Sequence, residues 1–230
     1  MSVKAISHSE YWLWVKSKKR WHERYVLGIE EPTSPAAELG KICHSALEKG
    51  ASYDWQKALV DSGFEHKVEI VRLLLGKMAM KTLGDKEEAM SATFKTRSMP
   101  EPIQLFGFMD GIDKENKILA EYKTSERDEA WNQSIVNHHS QLSFYALMYN
   151  INYHSFFSDI QLHYLNTSRG TVETFHTARG PRDIEWMARE IEDMVRYCKR
   201  ENLWEARISR ENRAQKRMTP LFPEPAKEHD

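Results

Sequence analysis

The side chains best suited to chemistry are concentrated in one segment, GFMDGIDKENKILAEYK. Asp110 precedes a polar run over residues 114–117 that predicts a tight turn, and Glu121 and Lys123 follow the run two residues apart. Because side chains alternate along a strand, Glu121 and Lys123 share one face and Tyr122 takes the other. A β-hairpin folded at this turn would bring Asp110 beside Glu121.

Two neighbouring carboxylates repel each other, and one lysine balances that repulsion only in part. A hard divalent cation such as Mg²⁺ or Mn²⁺ removes it, and magnesium prefers one or two carboxylates together with water and phosphate oxygens. The cation would acidify water and neutralise charge on a phosphate, while Lys123 holds the water or the phosphate. These are the parts of metal-assisted phosphodiester hydrolysis.

The same spacing also fits an ordinary ion pair between Glu121 and Lys123, with Asp110 serving a turn. The strand around them, ILAEYK, is apolar on both faces, which is typical of a central strand. Charged groups are seldom buried in such a strand without a partner or a metal, and this favours the chemical interpretation.

Two further groups of residues fall on helical patterns. Gly40 and His44 are four residues apart and share a helical face. There the imidazole could supply a third metal ligand, and the glycine permits close approach of another backbone or of a nucleic-acid strand. Gln141 and Tyr145, also four apart, could bind a phosphate or a base and position a strand. The alternatives are a packed or surface histidine and an aromatic stripe that packs on a sheet.

The segments that must hold these residues follow from the spacing of apolar side chains. We predict helices over residues 7–27, 36–50, 55–64, 67–83 and 134–150 and from Pro181, and strands over 92–96, 103–113, 118–124, 159–166 and 172–176. Their order predicts an α/β fold with a central mixed β-sheet flanked by helices. We expect one domain over residues 1–219, helical to about residue 90, and a loose tail over 220–230.

The charge balance excludes indiscriminate binding to nucleic acid. The 230 residues include 33 Lys and Arg against 34 Asp and Glu, so any nucleic acid must be held by a local patch. Basic residues gather beside Trp21 and Tyr25, namely Lys16, Lys18, Lys19, Arg20 and Arg24, and again near the C-terminus, namely Arg207, Arg210, Arg213, Lys216 and Arg217. Such clusters suit a groove that follows phosphates and stacks bases, and solvated helix faces are the alternative.

Other classes of protein are disfavoured by what the sequence lacks. No run approaches the roughly 18 apolar residues of a membrane-spanning helix, and the first residues lack the apolar stretch of a signal peptide, so we expect a cytoplasmic protein without membrane contact. Cys43 and Cys198 are too few for an iron–sulfur cluster held by four cysteines.

Taken in this order, the elements resemble the RecB-type exonuclease branch of the PD-(D/E)XK nuclease superfamily. The resemblance covers residues 7–150 and rests on Gly40 with His44, Asp110 after GFM, the run EYKTS, and Gln141 with Tyr145. The N-terminal segments SHSEYWLW and RWHERYV are also similar to the first helix of that branch. Some relatives join this helix to the C-terminal segment by an iron–sulfur cluster. Here we expect packing by Trp204 and Phe222 instead.

The resemblance implies a restriction-endonuclease-like core and a set of roles. Its metal site would hold Mg²⁺ or Mn²⁺ by His44, Asp110, Glu121 and the carbonyl of Tyr122. Asp110, Glu121 and Lys123 would be catalytic. DNA would contact Gln141, Tyr145 and Gly40, and we add Lys19, Arg20 and Arg24 from the basic cluster.

The expected function is metal-dependent hydrolysis of DNA, as an exonuclease that acts on single- or double-stranded DNA with free ends. Its expected setting is recombination, repair or replication, with proteins of those processes as partners. Two alternatives stay open: a structure-specific endonuclease with the same site, and a catalytically silent nucleic-acid-binding subunit.

Overall fold

A computed structural model of the protein describes residues 5–79, 85–99 and 101–207, without the side chains of residues 85–87. The helices are α1 (His8–Lys16), α2 (Lys18–Tyr25), α3 (Pro35–Lys49), α4 (Trp55–Asp61), α5 (Val68–Ala79), α6 (Gln133–Asn137), α7 (Ser140–Tyr153) and α8 (Pro181–Arg200). The strands are β1 (Ala5–Ser7), β2 (Asp85–Phe94), β3 (Ile103–Asp113), β4 (Ile118–Ser125), β5 (Asp159–Asn166) and β6 (Thr171–Thr177).

The six strands form one mixed sheet, as predicted. Its order is β1-β3-β4-β5-β6, and β2 pairs with β3. Strand β2 runs antiparallel to β3 along residues 103–112, so β1 and β4 share the other edge of β3. On that edge β1 pairs with residues 104–106 in parallel, and β4 pairs with residues 111–113 in antiparallel. Strands β4 and β5 are parallel over their whole length.

Helices cover both faces of the sheet. Helices α1, α7 and α8 lie on one face, where Leu119 and Phe144 belong to a large apolar core. Helices α3 and α5 lie on the other face, where Tyr122 of β4 packs with Leu47 and Leu74. The two faces of β4 therefore contact different helical layers, which confirms the predicted α/β arrangement.

Local sequence signals explain several helix boundaries. Pro35 and Pro181 are the first residues of α3 and α8. A proline has no N–H, and none is needed here because the first N–H groups of a helix have no partner within it. The side chain of Ser34 accepts the N–H of Ala37 at the start of α3. At the start of α8, the N–H of Gly180 donates to Asp183 at 2.8 Å.

Two predicted helices are each two helices in the structure. The prediction over residues 7–27 is wrong at Ser17, whose extended backbone ends α1 and whose hydroxyl accepts the N–H of Arg20 to begin α2. The prediction over 134–150 is wrong at His138 and His139, which separate α6 from α7. In both cases the apolar spacing continues across the break, so periodicity alone did not reveal it.

The other predicted helices and strands agree with the structure to within a few residues, and three differences remain. Strand β1 was not predicted, and β2 starts at Asp85, earlier than the predicted 92. The predicted helix over 67–83 is observed as Val68–Ala79, and residues 80–83 lie outside the described part of the chain. The predicted tail over 220–230, including Phe222, also lies outside it.

None of the described helices is long and apolar enough to cross a membrane.

A buried ion pair ties the segment after α8 to the N-terminal helices. Glu10 is 2% exposed and accepts two hydrogen bonds from the guanidinium of Arg207, at 2.7 and 2.8 Å. Arg207 also donates to the carbonyl of Ala5 and lies 4.5 Å from the ring centre of Trp204. Arg207 is therefore not part of an exposed basic patch, and the rest of that predicted cluster lies outside the described residues.

Candidate active site

The predicted catalytic residues gather where β3 and β4 diverge. The two strands pair only from Gly111 with Ala120 to Asp113 with Ile118. Beyond that point, residues 107–110 of β3 have no strand on this edge in the described part of the chain. This notch lies between the end of β1 and the start of the β3–β4 ladder, and side chains fill it.

Asp110 lies at the point of divergence. Its Oδ2 accepts the backbone N–H of Tyr122 at 2.7 Å, so the carboxylate replaces the hydrogen bond that a continuing ladder would provide. Its Oδ1 is 3.1 Å from Nδ1 of His44, which reaches the notch from α3. The hairpin therefore brings Asp110 to the strand of Glu121, as the spacing predicted.

Glu121, Lys123 and Gln141 form a closed hydrogen-bonded group. Nζ of Lys123 donates to Oε1 of Glu121 at 2.6 Å and to Oε1 of Gln141 at 2.8 Å. Nε2 of Gln141 donates to Oε1 of Glu121 at 2.7 Å. Glu121 is 2% exposed, and its Oε2 has no hydrogen-bond partner among the described residues. Glu121 and Lys123 share a face, and Tyr122 packs on the other, as predicted.

The site shifts the pKa values of its acidic groups in opposite directions. Burial, with the neighbouring charge of Asp110, raises the pKa of Glu121 to about 7, although Lys123 opposes the shift. Burial alone would also raise the pKa of Asp110, but the hydrogen bond and charge of His44 outweigh it and hold that pKa below its usual value. Burial would lower the pKa of His44, and the same contact with Asp110 instead raises it.

Tyr145 and Gly107 fill the notch together. A Cβ on Gly107 would lie 2.6 Å from Cε1 of Tyr145, so only glycine leaves room for this ring. The Tyr145 hydroxyl donates to the carbonyl of Phe108 and accepts an N–H of Gln141 at 2.9 Å. Gln141 is therefore oriented from both sides, by Tyr145 and by the Glu121–Lys123 pair.

Of the two close approaches expected at Gly40, the structure shows that of another segment of the chain. It is buried, and a Cβ there would lie 2.8 Å from the hydroxyl of Thr124 on β4. The close approach that Gly40 permits is thus that of α3 to β4, rather than that of a nucleic-acid strand. By setting this distance, Gly40 brings His44, one turn later on α3, to Asp110.

The donor set fits a divalent cation. Asp110 and Glu121 offer carboxylate oxygens, the ligand type that Mg²⁺ and Mn²⁺ prefer, and His44 offers an imidazole. As they stand, no three His, Cys, Asp or Glu side chains of the described chain are arranged to hold a metal ion. His44 and Lys123 bond the carboxylates directly. The unpartnered, buried Oε2 of Glu121 is the observation that calls for a ligand.

A cleft opens beside this site. It consists of two adjoining cavities of about 530 and 420 Å³, which share His8, Ser9, Arg24 and Gln141. Tyr145 lines the larger cavity, and Lys123 lines the smaller one.

The predicted basic and aromatic residues differ in whether they are exposed in the cleft. Arg20 and Arg24 line the smaller cavity, whereas Lys19 is exposed and lies 3.9 Å from Glu23. Trp21 and Tyr25 are 0% and 4% exposed, so these rings belong to the core and are not free to stack on bases.

Sequence reasoning missed two residues of the cleft, Trp12 and His8. Trp12 lines the smaller cavity and is 46% exposed. One signal pointed to it, since Trp12 lies outside the apolar spacing that Tyr11 and Trp14 follow on α1. His8 lines both cavities and bonds the hydroxyl of Ser140 at 3.0 Å. Burial, with smaller effects from His139 and Lys123, lowers the pKa of His8 to about 3.

Comparisons with known proteins place the chain in a family. A profile of the PD-(D/E)XK nuclease superfamily matches residues 5–224. A crystal structure named "Putative exonuclease", from Eubacterium rectale, superposes with a TM-score of 0.61 at 13% identity, over 96% of this chain and 90% of that one. The structure of SSO0001 gives a TM-score of 0.41 at 14% identity, over 82% and 85%. A comparison with curated proteins finds no match. The profile covers nearly the whole sequence, and the chain belongs to the PD-(D/E)XK nuclease superfamily.

Proposed function

We propose that the protein is a metal-dependent deoxyribonuclease that digests DNA from its ends, as an exonuclease of the RecB type. One observation carries the proposal. Glu121, a buried carboxylate with an unpartnered oxygen, lies beside Asp110 and is held at 2.6 Å by Lys123. A structural ion pair gains nothing from a second carboxylate and an orphaned oxygen, whereas a phosphodiesterase site uses both.

The roles of the residues follow from their contacts. A cation bound by His44, Asp110, Glu121 and the Tyr122 carbonyl would supply positive charge opposite the phosphate and acidify water. Lys123 is an ammonium with three N–H groups, two of which hold Glu121 and Gln141. The third can donate to a phosphate oxygen or to the attacking water. Gln141 fixes Lys123 in this position and is itself fixed by Tyr145.

The substrate and setting extend the proposal. An exonuclease is favoured by the motif resemblance and by the name of the structural relative from Eubacterium rectale. We propose DNA with free ends as the substrate, the cytoplasm as the location, and recombination, repair or replication as the process, with proteins of those processes as partners. Residues 1–219 would form the nuclease domain.

The experiment compares a linear single-stranded oligonucleotide, a linear duplex and a covalently closed single-stranded circle, each with Mg²⁺ or Mn²⁺ and with EDTA. The proposal predicts that nucleotides are released from linear DNA with the metal and not with EDTA, while the circle stays intact. Cutting of the circle would instead show an endonuclease. Absence of cleavage on every substrate would overturn the proposal in favour of a silent binding subunit.

A further inference from the structure

An exposed tryptophan beside the catalytic lysine is the most informative feature that the proposed chemistry leaves unexplained. Trp12 on α1 lines the smaller cavity together with Lys123 and Gln141. Its two neighbouring tryptophans, Trp14 and Trp21, are 9% and 0% exposed, whereas Trp12 is 46% exposed. The ring therefore adds little to the core and presents a large apolar surface inside a polar cleft.

One cation lies near this ring, and two more line the same cavity. Nζ of Lys16 lies 5.9 Å from the centre of the Trp12 ring, and Arg20 and Arg24 line the same cavity one turn apart on α2. An aromatic ring bordered by cations is the arrangement that binds a single nucleic-acid strand, because bases stack on the ring and phosphates meet the charges. The cavity of about 420 Å³ is within the usual range for ligand pockets, about 300–1,000 Å³.

Glu31 forms an ion pair with one of these cations, Arg20. The guanidinium of Arg20 donates to both carboxylate oxygens of Glu31, with Nε to Oε1 at 2.6 Å, and Glu31 lines the same cavity. A guanidinium fork binds phosphate in the same two-point manner as it binds carboxylate. Both side chains are about half exposed, so the pair is a weak one that a phosphate can replace.

We propose that Trp12, Arg20, Arg24 and Glu31 form a subsite for one unpaired nucleotide next to the bond that is cut. The base stacks on Trp12, and its phosphate takes the place of Glu31 on Arg20. In a duplex each base is stacked between its neighbours, so Trp12 can engage a base only on an unpaired strand or a frayed end. The inference rests on the proposed nuclease function and narrows its substrate to unpaired DNA.

The experiment measures binding of a fluorescent single-stranded oligonucleotide by anisotropy, in EDTA so that no DNA is cut. Trp12→Ala should weaken binding about tenfold, the order expected for one lost base–aromatic stack, and Trp12→Phe should retain most of the affinity. Trp186→Ala is the matched control, because Trp186 is 42% exposed on α8 and lies outside both cavities. Glu31→Gln should tighten binding and Arg20→Gln should weaken it.

Oligonucleotides with one abasic site, moved position by position, separate stacking from a general loss of affinity. One abasic position should weaken binding by wild type about as much as Trp12→Ala does, and should cost the Trp12→Ala variant nothing further. Equal affinities of wild type and Trp12→Ala, or additive losses at every abasic position, would overturn the inference. If wild type still cuts linear DNA with Mg²⁺, such a result leaves the nuclease proposal intact, whereas absence of both binding and cleavage removes both.

Discussion

Gln141 joins three other residues of the site, Glu121, Lys123 and Tyr145. Its amide donates to Glu121 and Tyr145 and accepts from Lys123, so turning the amide over would set like groups against each other at Lys123 and Glu121. The sequence suggested that Gln141 binds DNA. From its hydrogen bond with Lys123 we propose that it is a positioning residue for that lysine.

Gln141→Leu should therefore lower kcat about a hundredfold with a smaller change in KM, since Lys123 loses one of its two anchors and a displacement of about 1 Å costs that much. Steady-state cleavage of linear DNA measures both constants. A change confined to KM would contradict the positioning role and favour DNA binding alone.

Gly107 is the second residue whose role follows from one distance. In Gly107→Ala the new Cβ would meet Tyr145 at 2.6 Å, and displacement of that buried ring should cost about 1–3 kcal/mol of stability and disturb Gln141. Gly76→Ala is the matched control, because nothing lies within 4 Å of the added carbon and α5 should gain up to about 1 kcal/mol. Urea unfolding of the two variants gives the comparison, and equal stabilities would contradict the packing account.

The proposed catalytic residues and their neighbours differ in how far the sequence could predict them. Asp110, Glu121 and Lys123 lie within one hairpin, so the period of two and one turn were enough to bring them together. His44 meets Asp110 across 66 residues of chain. The helical spacing suggested His44 as a third metal ligand, and the family resemblance assigned it to the same site as Asp110. Trp12 and Glu31 could not be assigned to the site, because their position depends on how α1 and α2 pack beside β4.

At the scale of elements, two partly buried histidines lie where α1 meets the start of α7. The rings of His8 and His139 lie 6.2 Å apart, and burial lowers their pKa values to about 3 and about 4. Both groups are neutral in the folded protein at pH 7, while the unfolded chain binds protons near pH 6.5. Protonation therefore favours the unfolded state as the pH falls.

The contribution of these two histidines to the free energy of unfolding should consequently be fully present above about pH 6.5 and should fall as the pH is lowered from 6.5 towards 4. The slope per group is about 1.4 kcal/mol for each pH unit. His8→Gln keeps a polar partner for Ser140. It should reduce this slope by the contribution of one group, about 1.4 kcal/mol for each pH unit. Denaturant titrations at several pH values measure the slope, and an unchanged slope in the variant would show that His8 is already protonated in the fold.

The same scale explains why two helix breaks were missed. Ser17 and the His138–His139 pair interrupt patterns whose apolar residues continue in register, and neither break contains proline or glycine. Serine caps α2 only because its hydroxyl reaches the N–H of Arg20, a local contact that competes with a continued helix. The break at Ser17 turns α2, with Arg20 and Arg24, towards the cleft.

At the scale of the whole molecule, the Glu10–Arg207 pair joins residues that are 197 positions apart. No sequence pattern indicated it, because each partner is an ordinary charged residue in a charged neighbourhood. Trp204 does pack there, as expected, and contacts the guanidinium of Arg207. The pair fixes α1, and hence Trp12, against the rest of the chain.

Glu10→Gln should lower the free energy of unfolding by about 3–5 kcal/mol, because it leaves the buried charge of Arg207 without its counterpart. Glu185→Gln, which removes an exposed partner of Arg189 on α8, should cost less than about 1 kcal/mol. Chemical denaturation of both variants tests the difference. Equal losses of unfolding free energy would show that the buried pair contributes no more stability than the exposed pair.

The net charge of −1 does not describe the charge at the proposed site. Asp110 and Glu121 count as two negative charges in that sum, although a bound cation would offset them, and Arg20 and Arg24 face the same cleft. The charge that a nucleic-acid strand would meet in the proposed site is thus the charge of the cleft, which can be positive in a protein that is close to neutral overall.

The most direct test of the proposed site is the rate of nucleotide release from end-labelled linear DNA with Mg²⁺, compared between Lys123→Ala and Lys117→Ala. Lys117 lies in the turn of the same hairpin and bonds Ser155, away from the notch. We expect Lys117→Ala to keep the wild-type rate and Lys123→Ala to lose at least about a hundredfold, as for other lost transition-state donors. Equal rates in the two variants would contradict this expectation.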